Sequence, residues 1–116
     1  RRRFPASLEG QPFLLPSEGT SLRRALDDWF RRKRLTPQTV GEFDDSALIK
    51  IFGADGAGAF VVPEAIAANV VRQYGVRRVG QLEGAVERFY AVTAERKLVH
   101  PAVSAISEAA QNDLFG

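Results

Sequence analysis

PFLLPSEGTSLRRALDDWF, residues 12–30, joins a short apolar run to an amphipathic segment through a polar knot, and it sets the grammar of the whole chain. Phe13-Leu14-Leu15 reads as a strand. Leu22, Ala25, Leu26, Trp29 and Phe30 recur at i, i+3, i+4, i+7 and i+8, one face of a helix. The opposite face pairs Arg23 with Asp27, Arg24 with Asp28, Asp27 with Arg31 and Asp28 with Arg32, all four residues apart. Between strand and helix lies Pro16-Ser17-Glu18-Gly19-Thr20. Thr20 or Ser21 is an ordinary N-cap, and Gly19 would let another group approach the exposed N–H donors of the helix start. Thr36-Pro37 ends the helix.

The same grammar recurs downstream. Thr39–Phe43 reads as a second strand, and Asp44-Asp45-Ser46 supplies capping chemistry for a helix with an Ala47, Leu48, Ile51 and Phe52 stripe. Gly53-Ala54-Asp55-Gly56-Ala57-Gly58 follows that helix and precedes a strand. This order, and the lack of Gly-Lys-Ser/Thr, make it a tight turn and not a phosphate-binding loop. Ala59–Val62 is the third strand. Pro63 opens a third helix whose core face is Ile66, Val70, Val71 and Tyr74, with Gly75 at its C-terminal cap. Val76–Val79 and Arg88–Ala94 read as further strands. His100-Pro101 opens a last helix carrying Val103, Ile106, Ala110 and Leu114. Three strand–helix units in series predict an α/β fold with a mostly parallel sheet and helices on both faces. Ligands of such sheets bind at the carboxyl ends of the strands, here residues 16–21, 43–46 and 63–64.

Bulk properties narrow the function classes. At 116 residues one compact domain is the default. Sixteen Lys and Arg stand against fourteen Asp and Glu; without the three leading arginines the count is 13 to 14, too balanced for a nucleic-acid field. Arg31-Arg32-Lys33-Arg34 sits at the negative end of the first helix, where cations are favoured. With no cysteine, disulfides and thiolate metal sites are excluded, and no apolar run is long enough to span a bilayer. The chain opens on Arg1-Arg2-Arg3 without methionine, so the true start is expected upstream. His100, the only histidine, stands at a helix start and reads as a surface or capping residue, not a general base. No nucleophile elbow and no histidine-rich metal motif is present.

Taken in order, Pro12–Pro16, Val40-Gly41-Glu42-Phe43-Asp44-Asp45-Ser46-Ala47-Leu48, Gly56–Pro63, Arg88–Val92 and His100–Val103 resemble the effector-binding region of LysR-type transcriptional regulators. The segments Gly41–Leu48 and Phe89–Ala91 are most similar to that family's activators of sodium/proton antiporter genes. The resemblance implies a periplasmic-binding-protein-like (type 2) lobe, with residues 1–7 a leader or hinge and 8–99 the second lobe. Residues 100–116 would be a helix that in the family packs on the first lobe. It implies no enzyme and no cofactor, but a cytoplasmic, homo-oligomeric regulator that binds DNA through a separate N-terminal domain. The second lobe's share of an inter-lobe effector pocket falls on Ser17, Thr20, Phe43, Asp44, Asp45, Val62, Pro63 and Glu64. A dimer interface falls on Leu22, Arg23, Leu26, Trp29, Phe30, Val40 and Glu42. The effector would be a small molecule or an ion. Glu18, Asp44, Asp45 and Glu64 crowd the rim and disfavour an anion, so sodium held by Asp44 and Asp45 is the ion expected. The alternatives are a small α/β enzyme fragment that works through carboxylates, or one lobe of a periplasmic solute-binding protein.

Overall fold

The structure, a computed structural model, describes residues 3–85 and 88–94. After a single 3-10 turn at Ala6–Leu8, the elements are β1 (Pro12–Pro16), α1 (Ser21–Arg32), β2 (Gln38–Phe43), α2 (Ser46–Ala54), β3 (Phe60–Pro63), α3 (Glu64–Tyr74), β4 (Val76–Gln81) and β5 (Phe89–Ala94). The helix expected over residues 100–116 lies outside the described residues.

β1 pairs in parallel with β2, and a parallel bridge between Phe13 and Ala59 joins β1 to the chain entering β3. Two hydrogen bonds hold that bridge, Leu14 N to Ala59 O at 2.8 Å and Ala59 N to Pro12 O at 3.0 Å. β5 lies between β3 and β4 and runs antiparallel to both. The mostly parallel sheet expected from the sequence is therefore corrected to a mixed arrangement. β3, α3 and β4 still make a parallel crossover, but β5 fills the gap between its strands. The cause is loop length. Seven residues separate Gln81 from Phe89, too few for the crossover of a dozen or more that a parallel neighbour needs.

Alternation along the strands builds a core on each side of the sheet. Phe13, Leu15, Phe89 and Ala91 point to one side and pack with Leu26, Trp29 and Phe30 of α1. Leu14, Phe60, Val62 and Val92 point to the other and pack with Ile49 of α2 and with Ala67 and Val70 of α3. Trp29 is the largest fully buried side chain; its ring meets Phe30 edge-on at 5.5 Å, and its Nε1–H donates to Glu83 O at 2.8 Å.

Two helix faces differ from expectation. On α2, Ile49 and Gly53 face the core, whereas Leu48, Ile51 and Phe52 are exposed. Ser46–Ala54 is apolar almost all round, so periodicity could not choose its inner face; close packing does. A Cβ on Gly53 would lie 2.2 Å from the Phe60 ring, so glycine is what lets α2 sit this close to β3. On α3, Ala67 and Val70 are buried and Ile66 is exposed, while Val71 and Tyr74 are partly buried against the core as expected. Gly75 ends α3 in the left-handed conformation (φ 67°). α1 ends differently. There Arg34 takes the left-handed position (φ 56°), and Leu35 N returns to Phe30 O at 2.9 Å.

Candidate functional site

Parallel pairing brings the carboxyl ends of β1, β2 and β3 to one edge of the sheet. Pro16 lies opposite Phe43 in the ladder, and Ser17 N donates to Phe43 O at 2.9 Å. Pro16 and Val62 each lie three residues beyond the Phe13–Ala59 bridge. Residues 16–21, 43–46 and 63–64 thus share this edge, as the sheet rule predicts.

The knot is a built turn. Thr20 caps α1: its Oγ1 accepts from Arg23 N at 3.1 Å and donates to Ser17 O at 2.9 Å. Gly19 (φ 91°) faces open space, and Ser17 is half-buried. Phe43 is also half-buried, with its ring 5.4 Å from that of Phe52. Asp45 caps α2, accepting from Ala47 N at 2.8 Å. Asp44 is exposed and makes no side-chain hydrogen bond or ion pair among the described residues. Pro63 is exposed at the start of α3, and the Glu64 carboxylate lies 3.5 Å from the Arg88 guanidinium. Val62, by contrast, is 1% exposed and packs into the core with α3, so its side chain does not reach the edge.

Sequence reading missed the residue that organises this edge. Arg23, placed on the solvent face of α1, is the one buried charged residue among those described. Its Nε donates to Asp27 Oδ1 at 3.0 Å, and its Nη1 donates to Pro16 O at 3.0 Å and to Glu42 Oε2. Its Nη2 lies 3.8 Å from Glu18 Oε1. The hydrogen bond it donates to Glu42 is the main reason this guanidinium holds its proton even more tightly than usual; desolvation opposes it, and Asp27 adds to it. Of these partners, only Asp27, four residues on, could be read from spacing. Glu42 arrives on another strand. Of the other expected pairs on α1, Asp28–Arg32 forms at 2.9 Å; Asp28 also takes Arg31 at 2.9 Å, and Arg24 turns back to Gly19 O.

The expected interface set divides by burial. Leu26, Trp29 and Phe30 are between 1% and 6% exposed and belong to this chain's own core, and Arg23 is consumed by its ion pairs. Leu22, Val40 and Glu42 keep accessible surface.

A hollow of about 950 Å³ lies elsewhere. Glu9, Gln11, Pro12, Gly58, Arg77 and Thr93 line it at the opposite end of β1. Among the described residues no group of three or more His, Cys, Asp or Glu side chains is gathered to hold a metal ion. Asp44 and Asp45 would need oxygen ligands besides their own carboxylates to bind one.

Comparison with known proteins agrees with this architecture. The chain is 38% identical over 112 residues to the transcriptional activator protein NhaR of Escherichia coli (strain K12), covering 97% of this chain and 37% of that protein. It matches NhaR of Shigella flexneri with the same identity and coverage. The chain thus spans little more than a third of the length of these relatives. No solved structure matches it significantly. The LysR substrate binding domain family matches residues 1–114, nearly the whole sequence. With its α/β layers and its shared edge of strand ends, the chain belongs to the LysR substrate-binding family, whose fold is periplasmic-binding-protein-like.

Proposed function

We propose that the chain is an effector-sensing part of a LysR-type transcriptional regulator akin to NhaR, and not a catalyst. Residues 8–99 form the second lobe, 1–7 lead into it from a hinge, and 100–116 return as a helix to a first lobe carried elsewhere in the protein. The effector binds between the two lobes, and this lobe contributes the edge bearing Ser17, Thr20, Phe43, Asp44, Asp45, Pro63 and Glu64. The regulator works in the cytoplasm as a homo-oligomer and reaches DNA through a separate domain. Within this lobe Leu22, Val40 and Glu42 are available to a subunit contact.

The observation that carries this reading is the convergence of three strand ends, two of them leading into side-chain-capped helices, in a chain 38% identical to a transcriptional activator. Its charge favours a cation. Glu18 and Glu64 face Arg23 and Arg88, which leaves the charges of Asp44 and Asp45 uncompensated by ion pairs among the described residues. A hard cation such as sodium suits carboxylate, hydroxyl and carbonyl oxygens. The test is made on the full-length regulator. Operator binding and reporter output are measured while sodium is raised against potassium at constant ionic strength. A sodium-specific rise in transcription is the expected result. A flat response with intact operator binding rules out sodium as the effector, and absence of operator binding rules out the regulator itself.

A further inference from the structure

We propose that Arg23 is a positioning residue that couples the effector edge to β2, so that a change of charge at the knot is felt at Glu42. This rests on the functional reading above only for the identity of the effector.

The guanidinium offers five N–H donors. Nε is spent on Asp27, and Nη1 on Pro16 O and Glu42. Nη2 faces Glu18 at 3.8 Å, beyond hydrogen-bond range. The three carboxylates are therefore held unequally. Asp27 and Glu42 are hydrogen-bonded, and their side chains are about half exposed; Glu18 is 82% exposed and loosely held. Glu18 adjoins Ser17, Gly19 and Thr20, where an effector would arrive, and it is the first partner that a ligand charge would draw off or push in. Arg23 itself cannot retreat. Its side chain is 11% exposed, and its backbone N–H is fixed by the Thr20 cap. A change at Glu18 is thus redistributed to the contacts that remain, Pro16 O at the end of β1 and Glu42 on β2. Among the described residues β2 pairs with β1 alone, and Val40 and Glu42 lie on its exposed side, so the redistribution reaches the outer surface of the lobe. Coupling of this kind is reciprocal: a perturbation at Glu42 must be felt at the knot.

The test uses amide hydrogen exchange in the full-length regulator, read by segment. Glu42→Gln is expected to speed exchange several-fold in Ser17–Leu22 as well as in its own strand, and Glu18→Gln to alter exchange in Gln38–Phe43. Thr39→Ser, on the same strand but outside the network, is the control and leaves Ser17–Leu22 unchanged. Arg23→Lys keeps the charge and loses the fork, so it is expected to loosen both segments while Phe60–Pro63 keeps its protection. In reporter assays Arg23→Lys is further expected to shift the half-maximal sodium concentration by about fivefold or more at unchanged maximal output and operator affinity. Exchange changes confined to the mutated segment in both Glu42→Gln and Glu18→Gln overturn the coupling. So does an unshifted sodium response in Arg23→Lys when the wild type responds. If the wild type ignores sodium, the functional reading has failed, and the exchange data alone decide the coupling.

Discussion

Single side chains show where the fold is tense and where it is tightly packed. Arg34 closes α1 with φ 56°, a conformation that strains any residue with a Cβ. The residue is exposed, so no packing is lost when it is replaced. Arg34→Gly should therefore stabilise the protein by about 0.5–1 kcal/mol, read as a higher urea midpoint at unchanged slope. A lower midpoint would mean that the arginine side chain has a structural partner. Trp29 is the opposite case. It is 1% exposed, stacks on Phe4 at 6.1 Å and hydrogen-bonds the Glu83 carbonyl. Trp29→Ala should cost about 3–5 kcal/mol by the same measurement, since it opens a cavity between α1 and the sheet and orphans a carbonyl.

At the level of elements, fit and charge decide what periodicity leaves open. Gly53→Ala would press a methyl group into the Phe60 ring and should destabilise the α2–β3 contact by about 1–3 kcal/mol. An unchanged melting temperature would show that α2 can back away freely. α1 carries a pH-dependent contribution. Hydrogen bonds from Arg32, then Arg31, hold the Asp28 carboxyl below the usual range. A depressed folded-state value means stability that is present above the unfolded value of about 4 and is lost as pH falls through the folded one. The melting temperatures of wild type and Asp28→Asn should therefore differ by a constant amount above about pH 5 and converge in stronger acid. A gap that widens toward acid would contradict that sign. The same contrast explains what the sequence made legible. Each described strand and helix was readable because its period and its caps are local. The direction of β5 was fixed by a loop length that was in plain view but not weighed. The inner face of α2 was hidden because both of its faces are apolar. Arg23 was misplaced because three of its partners, Pro16, Glu18 and Glu42, lie off its helix, and spacing along one helix cannot report them.

For the molecule as a whole, the distribution of charge sets what the proposed effector edge can hold. The N-termini of α1 and α2 both point their positive dipole ends at this edge, which alone would favour an anion. Three arginines are also present: Arg23 is committed to Asp27, Glu42 and Glu18, and Arg88 to Glu64, while Arg24 donates to Gly19 O and makes no ion pair among the described residues. Asp44 and Asp45 remain as formal charges, and at short range a formal charge outweighs a half-charge dipole. The two aspartates are not equivalent. Asp45 Oδ1 accepts from the Ala47 amide N–H, a task that asparagine performs as well, so Asp45→Asn removes charge while keeping the cap. Asp44 has no such task among the described residues, so under the proposed function its carboxylate is the one that meets the cation. In the full-length regulator, Asp44→Asn should abolish or strongly weaken induction by sodium with operator binding and melting temperature unchanged. Asp45→Asn should weaken it less, because a capping oxygen is already directed inward. The measurement is reporter output against sodium at fixed ionic strength, with operator affinity and thermal unfolding recorded for each variant. Full induction in both variants would remove the aspartates from sensing and return them to the capping of α2. Loss in Asp45→Asn alone would move the sensing charge from the free carboxylate to the cap itself.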